Sequence, residues 1–394
     1  MKTIGVICEY NPLHLGHANH LIRSRKAMGE NSAIICVMSG NVVQRGDFAI
    51  FNKHSRAKAA VLSGADLVVE LPAPYVLSSA EGFAKAGVFI LEKMGVCDYI
   101  SFGSEVGNVE ELSKAVEFIS SDTAQMKIKS FIKSGLAYAT AIQHAADELF
   151  PQGSELFNTP NNILGIEYIK ALNLLKSKIK PLTVYRSGGA HDSVNGFSAS
   201  RLRRLFRSDK PPWILMPRTA AAVLKEEVTE GRGPLYISDF EAALLSRLRK
   251  LEDFSAVSNA SEGIERRFLR YSGVEPTIEE ILKKIKTKRY PMSRIRRMLL
   301  CAALDITADD SAALPPYIRI LAMNQVGAAI LKKTKKISEL PIITKPAAGK
   351  NLPGRAGQLL HKEASVSDFY ALGYNNVSAR RGRSEWTTGP YVQK

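Results

Sequence analysis

The sequence predicts an α/β fold in two parts, a parallel sheet covered by helices and then a mostly helical, basic region. Over the first 110 residues, short apolar runs alternate with segments of helical spacing, an order typical of open, doubly wound sheets. The chain has 394 residues, more than most single cores contain. Its net charge of +16 divides unevenly, with +5 over residues 1–210 and +11 over residues 211–394. We therefore expect two domains, the second suited to a polyanionic partner.

Four apolar runs near the N-terminus are too uniformly hydrophobic to have a solvated face. They predict buried parallel strands at 3–10, 32–40, 65–72 and 97–105. Helical spacing predicts helices between them at 17–29, 53–64 and 79–95, each ending at a glycine. Farther on, we expect helical segments at 108–149 and 160–177, a strand at 182–187 and a helix at 198–206.

The turn-rich stretch "SDKPPWILMP" (208–217) is the predicted boundary, so we place the domains at residues 1–210 and 211–394. Beyond it the patterns are mostly helical: "FEAALLSRLRKL", "EGIERRFLRYS", "TIEEILKKIKTKR", "SRIRRMLLCAALD" and "YIRILAMNQVGAAILKKTKK".

Composition argues against a membrane or disulfide-rich protein. Apolar residues make up 45% of the chain and charged residues 23%, and no apolar run approaches the ~20 residues that span a bilayer. The N-terminal "MKTIGVICEY" does not resemble a secretory signal, and the four cysteines stand singly. We expect a cytoplasmic protein with no disulfides and no membrane contact.

The stretch "CEYNPLHLGHANHLI" (8–22) contains the first turn from a strand into a helix. Asn11 and Pro12 end the strand, and Gly16 lets the backbone approach a ligand. The helix that follows directs unpaired N–H groups and a positive dipole end to the same place, which suits an anion. His14 and His17, one helical turn apart, can add hydrogen bonds to phosphate oxygens.

A metal site is the alternative for these histidines, because His14, His17 and His20 recur at steps of three. No HExxH pattern, cysteine pair or neighbouring carboxylate cluster completes such a site. We therefore predict no protein-bound metal, and we expect His20 to support the other two.

"NPLHLGH" resembles the HxGH signature of the nucleotidyltransferase superfamily. The second element of that signature is an ISSTxxR-type segment, and "FSASRLRR" supplies Ser198, Ser200 and Arg203 at the corresponding spacing. Helix capping by the serines is the alternative. The two motifs together imply a Rossmann-like nucleotidyltransferase domain.

Longer segments narrow the resemblance. "GVICEYNPLHLGHANHL", "VMSGNVVQRGDFAIFNKHSRAKAAVLSGADLVVELP", "FGSE", "NTPNNILGIEYIKAL", "YRSGGAHD" and "KRYPMSRIRRMLL" are similar to the bacterial tRNA(Met) cytidine acetate ligase family. This resemblance covers nearly the whole chain. It implies an enzyme that uses ATP to activate acetate as acetyl-adenylate, releasing pyrophosphate, and then acetylates N4 of the wobble cytidine of elongator tRNA(Met). Mg²⁺ is expected with the nucleotide, and no protein partner is expected.

The resemblance also implies the site residues, with His14 and His17 as the catalytic pair. Of the implied ATP contacts, Asn161 and Asn162 have an alternative role as the N-cap of the helix that follows Pro160. The implied ATP-binding residues are Ile7, Cys8, Glu9, Tyr10, Asn11, Pro12, Leu13, His14, Leu15, Gly16, His17, Ala18, Asn19, His20, Gly103, Asn161, Asn162, Arg186, Ser187, Ser198, Ser200 and Arg203.

The segment "KKIKTKRYPMSRIRRML" (283–299) is the predicted tRNA-binding site, with Tyr290 available to stack on a base. An ordinary solvated helix is the alternative. The basic residues predicted to bind tRNA are Lys286, Lys288, Arg289, Arg294, Arg296 and Arg297.

The connection at 40–56 is unusually long and suits a lid or an RNA contact. Its polar residues, whose roles the sequence does not divide, are Gln44, Arg45, Asp47, Lys53 and Arg56.

Two other functions compete with the ligase. An adenylyltransferase acting on a phosphorylated cofactor precursor would explain both motifs, but it leaves the basic C-terminal half without a role. A non-catalytic RNA-binding protein on the same fold would not need both histidines.

Overall fold

The computed structural model describes residues 1–186, 198–208 and 210–394. The strands are β1 (Thr3–Cys8), β2 (Ala33–Ser39), β3 (Val42–Val43), β4 (Asp47–Phe48), β5 (Leu67–Leu71), β6 (Tyr99–Ser104), β7 (Lys180–Tyr185), β8 (Ile318–Met323), β9 (Ile342–Ile343) and β10 (Tyr391–Val392). The helices of the N-terminal part are α1 (Leu15–Met28), α2 (Lys53–Val61), α3 (Ala73–Val76), α4 (Ala80–Met94), α5 (Val109–Ser120), α6 (Asp122–Lys133), α7 (Tyr138–Leu149), α8 (Pro160–Leu174) and α9 (Ala199–Phe206). They continue with α10 (Arg218–Thr229), α11 (Glu241–Arg249), α12 (Ile264–Ser272), α13 (Ile278–Ile285), α14 (Met292–Ala303), α15 (Ala308–Ala312), α16 (Gln325–Ile337), α17 (Pro346–Gly349), α18 (Gly354–Ala371) and α19 (Ser384–Thr387).

The main sheet has the strand order β10-β8-β5-β2-β1-β6-β7, with β9 beside β8. Strands β5, β2, β1, β6 and β7 are parallel, and β8 runs antiparallel to β5. From β1 the chain winds first toward β5 and then, on the other side, toward β7. This confirms the predicted α/β class. It also places the start of α1 at a switch point of the sheet, where ligands bind in such folds.

Strand β2 shows why these apolar runs form a covered sheet. Its alternate residues face two separate hydrophobic clusters. Ile35 and Val37 pack into one cluster, and Ile34 and Cys36 pack into the other. All seven residues of β2 are buried. Since both faces are packed, the strand has no polar alternation, as predicted for a central parallel strand.

Strand β8 contradicts the predicted helix at 317–336. Residues 318–323 form a strand, and α16 starts only after Asn324, whose side chain accepts a hydrogen bond from the Gly327 N–H at 2.9 Å. The run "IRILAM" is entirely buried and has neither helical nor alternating spacing. A short apolar run of this kind cannot be assigned from periodicity; its pairing with the distant β5 decides the conformation.

The C-terminal part shares the sheet, because β8, β9 and β10 all come from residues beyond 210. Buried charges also join the two parts. The Lys53 ammonium lies 2.8 Å from the Glu70 carboxylate and 2.6 Å from that of Glu385, and Arg319 lies 3.3 Å from Glu385. The predicted division at residue 210 therefore does not coincide with an edge of the sheet. The separate roles assigned to residues 1–210 and 211–394 stay predictions.

In the described ranges, no helix is both long and apolar enough to cross a bilayer. The same ranges contain no group of three or more His, Cys, Asp or Glu side chains arranged to hold a metal ion. Cys36 and Cys301 are buried, Cys8 and Cys97 are half-buried, and all four are free thiols.

Candidate active site

The first predicted motif lies where β1 ends and α1 begins. His14 is the N-cap of α1, with extended backbone, and its carbonyl accepts the N–H groups of His17 at 2.9 Å and Ala18 at 3.1 Å. The first turn of α1 contains no acidic residue. The positive end of the helix dipole is therefore not neutralised locally, which favours an anion there.

The two imidazoles of the motif stack on each other. The ring centroids of His14 and His17 are 3.7 Å apart, with 22° between the planes. The His14 backbone N–H donates to His17 Nδ1 at 3.3 Å. In a neutral ring this acceptor role leaves the hydrogen on Nε2, so His17 presents a donor at its far end. Within the described ranges, His14 Nδ1 is buried and has no hydrogen-bond partner.

Burial keeps these histidines neutral. Burial, together with the nearby Arg186 charge, lowers the pKa of His14 to about 3. Burial also lowers the pKa of His17, with contributions from His14, Arg186 and His20. Near pH 7 both rings are uncharged, so each can donate one hydrogen bond, His17 from Nε2, while Arg186 supplies positive charge.

His20 contacts the sheet instead of the turn. Its Nε2 hydrogen-bonds with the Ser101 hydroxyl of β6 at 3.1 Å, and that hydroxyl lies 2.7 Å from the Ser24 hydroxyl of α1. Burial, with Arg186 and Arg23, lowers the pKa of His20 to about 4. His20 thus fixes α1 against β6, a supporting position of the kind predicted for it.

The second motif meets the first in space. Arg203 of α9 donates through Nη1 to the Asn11 carbonyl at 2.8 Å and through Nη2 to the Ser200 hydroxyl at 3.1 Å. Ser198 is the N-cap of α9, and its hydroxyl accepts the Arg201 N–H at 3.2 Å. The capping alternative therefore holds for Ser198, while Ser200 orients Arg203. The hydrogen bond to Asn11 joins two motifs separated by 192 positions.

A polar cluster after β6 holds the predicted asparagines. Thr159, and neither Asn161 nor Asn162, is the N-cap of α8, so that alternative for them is wrong. The Asn162 side chain accepts the Glu105 N–H at 2.9 Å. The Glu105 carboxylate accepts the Asn161 amide at 2.5 Å and the Asn162 N–H at 3.0 Å. Asn161 Oδ1 in turn accepts Arg186 Nη1 at 3.0 Å.

Gly103 leaves room for Arg186. A Cβ atom at Gly103 would lie 2.7 Å from Arg186 Cδ, too close for any side chain to fit without displacing it. Because Arg186 acts electrostatically on His14 and His17, the cluster places a guanidinium beside the turn. Glu105, which orients Asn161, was not singled out in the sequence; the acidic residue that ends "FGSE" was the available signal. Ser187 lies outside the described residues.

The remaining residues of the predicted ATP segment divide by burial. Tyr10, Asn11 and Leu13 are buried, and the Asn11 side chain accepts the Ile50 N–H at 2.8 Å. Leu15 and Asn19 are exposed on α1. Pro12 is also buried, and the half-buried residues of the segment include Ile7, Cys8, Glu9, Gly16 and Ala18. The segment therefore contributes backbone and a few side chains to the turn, not every side chain in it.

The connection at 40–56 contains the β3–β4 hairpin and two buried cations. Lys53 takes part in the buried ion pairs described above. Arg56 donates to the carbonyls of Phe51 at 2.9 Å and Ser39 at 3.0 Å, and also to those of Glu9 and Gly40. Neither side chain reaches solvent. Of the five polar residues in this connection, Lys53 and Arg56 are thus structural.

The predicted tRNA-binding segment is only partly accessible. Arg294 pairs with Glu262 at 2.5 Å and stays half-buried. Tyr290 is buried and its hydroxyl donates to the Glu262 carbonyl, so it is not placed to stack on a base. Arg297 is also buried, and it donates to Asn259 Oδ1 at 3.3 Å. Of the six cations predicted to bind tRNA, three are exposed, namely Lys286, Lys288 and Arg289, and Arg296 is half-buried.

Comparison with known proteins identifies the family of this chain. The family model described as HIGH Nucleotidyl Transferase matches residues 1–385. The chain is 36% identical to the tRNA(Met) cytidine acetate ligase of Acetivibrio thermocellus, over 98% of this chain and 99% of that protein. It is 37% identical to the enzyme of the same name from Caldanaerobacter subterraneus, over 96% and 97%.

A solved structure extends the likeness to three dimensions. Thermotoga maritima TmcAL bound with alpha-thio ATP superposes with a TM-score of 0.90 at 30% identity, covering 100% of this chain and 99% of that one. Full-length similarity in sequence and in fold, together with the joined motifs, assigns the family. The chain belongs to the HIGH nucleotidyltransferase family and, within it, to the tRNA(Met) cytidine acetate ligases.

Proposed function

We propose that this protein is an ATP-dependent tRNA(Met) cytidine acetate ligase. It would activate acetate as acetyl-adenylate and then acetylate N4 of the wobble cytidine of elongator tRNA(Met). The observation that carries the proposal is the hydrogen bond from Arg203 to the Asn11 carbonyl, which brings the HxGH turn and the Ser198–Arg203 element to one place. A tRNA substrate would locate the enzyme in the cytoplasm.

In the first step, an acetate oxygen attacks the α-phosphorus of ATP and the bond to the β-phosphate oxygen breaks, releasing pyrophosphate. The His17 Nε2–H, the amides at the start of α1 and the Arg186 guanidinium would stabilise the charge that develops on the α-phosphate. Arg203, oriented by Ser200, would hold the leaving phosphates, since its planar fork matches their geometry. The neutral state of His14 and His17 lets them act as donors without releasing a proton.

In the second step, the cytidine N4 attacks the acetyl carbonyl carbon, the bond from that carbon to the phosphate oxygen breaks to release AMP, and the amino group gives up a proton to solvent. The same donors that face the α-phosphate would stabilise the departing AMP. The site thus needs no covalent enzyme intermediate.

Mg²⁺ with the nucleotide belongs to the proposal as well. Glu9 is the acidic residue of the turn, but its Oε1 already accepts the Gln44 N–H at 2.6 Å. Because the described residues form no multidentate metal cluster, the ion would be held mostly by phosphate oxygens and water. When bound, it would neutralise phosphate charge.

For tRNA, we propose contacts from the exposed Lys286, Lys288 and Arg289, with Arg294 and Arg296 at the start of α14. Arg297 is left out because it is buried. These cations would bind backbone phosphates and give binding that weakens as salt rises.

The test is made in two stages with purified protein. Acetate-dependent exchange of labelled pyrophosphate into ATP reports adenylation, and mass spectrometry of digested tRNA reports N4-acetylcytidine. His17→Asn should abolish exchange, whereas His144→Asn, at an exposed histidine of α7, should not change it. Elongator tRNA(Met) whose wobble cytidine is replaced by uridine should remain unmodified.

The outcomes separate the competing functions. Exchange that requires a phosphorylated metabolite in place of acetate would identify an adenylyltransferase instead. Absence of ATP binding would leave a non-catalytic RNA-binding protein.

A further inference from the structure

The β3–β4 hairpin (residues 42–48) links the turn of the ATP site to α14. On one side, the Gln44 N–H donates to Glu9 Oε1 at 2.6 Å, directly after β1. The hairpin turn is closed by the Gly46 N–H, which donates to the Val43 carbonyl at 2.9 Å. Gln44 is thus fixed to the segment that carries the HxGH motif.

On the other side, Gly46 is pressed against α14. Its φ is +74°, and an added Cβ would lie 2.6 Å from the Arg296 carbonyl carbon and 2.7 Å from Arg296 Cβ. The contact needs both the left-handed backbone and the missing side chain of glycine. Gly46 therefore fixes the hairpin to the first turns of the helix that carries the predicted tRNA-binding arginines.

Arg45 lies between these two fixed residues and is exposed. Its charge acts on Glu9, whose pKa is raised by burial and lowered by Gln44, Arg203, Arg56 and Arg45. In the described part of the chain, no carboxylate pairs with the Arg45 guanidinium at ion-pair distance. Arg45 thus stands at the junction of the nucleotide site and α14 with its charge unneutralised by direct contact.

The surroundings contain more positive than negative charge. Arg203, Arg207 and Arg296 all act on the Asp47 carboxyl, where burial raises the pKa and these three guanidiniums lower it. Arg207 also stacks over Tyr236, 4.1 Å from the ring centroid. Arg296 Nε is buried without a partner in the described ranges. The carboxyls of Glu9 and Asp47 thus face five arginines, Arg45, Arg56, Arg203, Arg207 and Arg296, which leaves this region able to take an additional anion.

We propose that Arg45 binds a backbone phosphate of the tRNA next to the cytidine that is acetylated. The inference rests on the proposed function. Phosphate is the chemistry that a guanidinium beside a basic helix recognises. The RNA strand is favoured over ATP as its source because Arg45 is exposed, whereas the half-buried Arg203 already joins the two nucleotide motifs. The hairpin would then fix the reacting nucleotide relative to acetyl-adenylate.

The experiment measures both half-reactions of the full-length Arg45→Ala and Arg45→Lys variants. Lys129→Ala is the charge-matched control, at an exposed lysine of α6, remote in sequence from the hairpin and from α14. Arg45→Ala should raise KM for elongator tRNA(Met) about tenfold, as expected for loss of one charge-assisted phosphate contact. The slope of log KM against log salt should fall by about 0.7 to 0.9. Arg45→Lys should recover part of the affinity, since it keeps the charge but not the planar fork.

Each other result overturns the proposal in an identifiable way. If acetate-dependent pyrophosphate exchange falls as far as tRNA acetylation, Arg45 serves the triphosphate. If KM for tRNA and its salt slope match those of Lys129→Ala, Arg45 binds no phosphate. If the unaltered protein makes acetyl-adenylate but never acetylates tRNA, the proposed function has failed, and this inference with it.

Discussion

Replacing Lys53 by methionine should destabilise the protein without removing adenylation. The Lys53 ammonium lies 2.8 Å from Glu70 and 2.6 Å from Glu385, and the three side chains are at most 1% exposed. Methionine fills a similar volume but leaves both carboxylates without this partner. Lys58→Met is the matched control on the same helix, because Lys58 is 35% exposed and lies 3.5 Å from Glu226.

The magnitude follows from burial. Breaking a buried ion pair by removing one partner typically destabilises a protein by about 3–5 kcal/mol. For 394 residues, the entropy of unfolding is about 0.8 kcal/mol per kelvin, so Tm should fall by about 4–6 °C. An exposed pair contributes about 0–1 kcal/mol, so the Lys58→Met control should move Tm by about 1 °C or less.

The loss of stability in Lys53→Met should also depend on pH. Burial of the Glu385 carboxyl acts to raise its pKa, but the charges of Lys53 and Arg319 outweigh burial and lower that pKa to about 2. A depressed carboxyl pKa stabilises the fold above the unfolded value of 4.5, and this contribution is lost as pH falls from 4.5 toward 2. Burial already raises the pKa of Glu70 despite Lys53. Without Lys53, these carboxyls of the folded state retain protons that they release in the unfolded chain. The loss of stability caused by Lys53→Met should therefore be larger at pH 8 than at pH 5.

The assay is calorimetric unfolding of both variants at the two pH values, with pyrophosphate exchange measured well below Tm. Equal Tm values for Lys53→Met and Lys58→Met would refute the structural role of the buried charges. Loss of exchange in a folded Lys53→Met protein would show that the cation serves the chemistry.

Three further predictions concern the active site. Burial lowers the pKa of His14 to about 3, so the pH profile of activity should show no ionisation of His14 between pH 6 and 8. As pH falls from 6.5 toward 3, the unfolded chain binds a proton at His14 that the folded state does not, so unfolding measured across that range should show a falling stability. Glu105→Gln should raise KM for ATP about three- to tenfold, because the Asn161 amide could then flip and release Arg186. The same change should have little further effect in an Arg186→Ala background, and additive effects in that double-mutant cycle would contradict a role of Glu105 in positioning Arg186 through Asn161. Gly103→Ala should impair exchange by displacing Arg186, whereas Gly273→Ala, where nothing lies within 4 Å of an added Cβ, should behave like the unaltered protein in the same assay.

The parts of the fold with regular local signals could be predicted from sequence. The strand β2 and the helix α4, which ends at Gly95 in left-handed conformation, were identifiable from apolar runs and a terminal glycine. The location of the HxGH turn followed from the topology of parallel sheets. Strand β8 could not be predicted, because its conformation depends on pairing with β5 and not on its own spacing.

Side-chain roles were less predictable, because charge type does not reveal burial. Lys53 and Arg56 resemble ligand-binding residues in sequence, yet they satisfy buried carboxylates and carbonyls. Tyr290 and Arg297 lie in a basic segment but point into the protein. Asn161 and Asn162 follow a proline at a helix start, but their side chains bind groups from a loop and a strand end far along the chain.

The antiparallel pairing of β8 with β5 has a consequence for synthesis on the ribosome. Val68 pairs with Ala322, so the edge of β5 stays uncovered until 254 further residues have been made. At about 5–20 residues per second, that interval is about 13 to 50 seconds. During it, the nascent chain exposes an apolar strand whose free edge can pair with other chains. Cellular yield of this protein should therefore depend on chaperones that shield the nascent β5 edge.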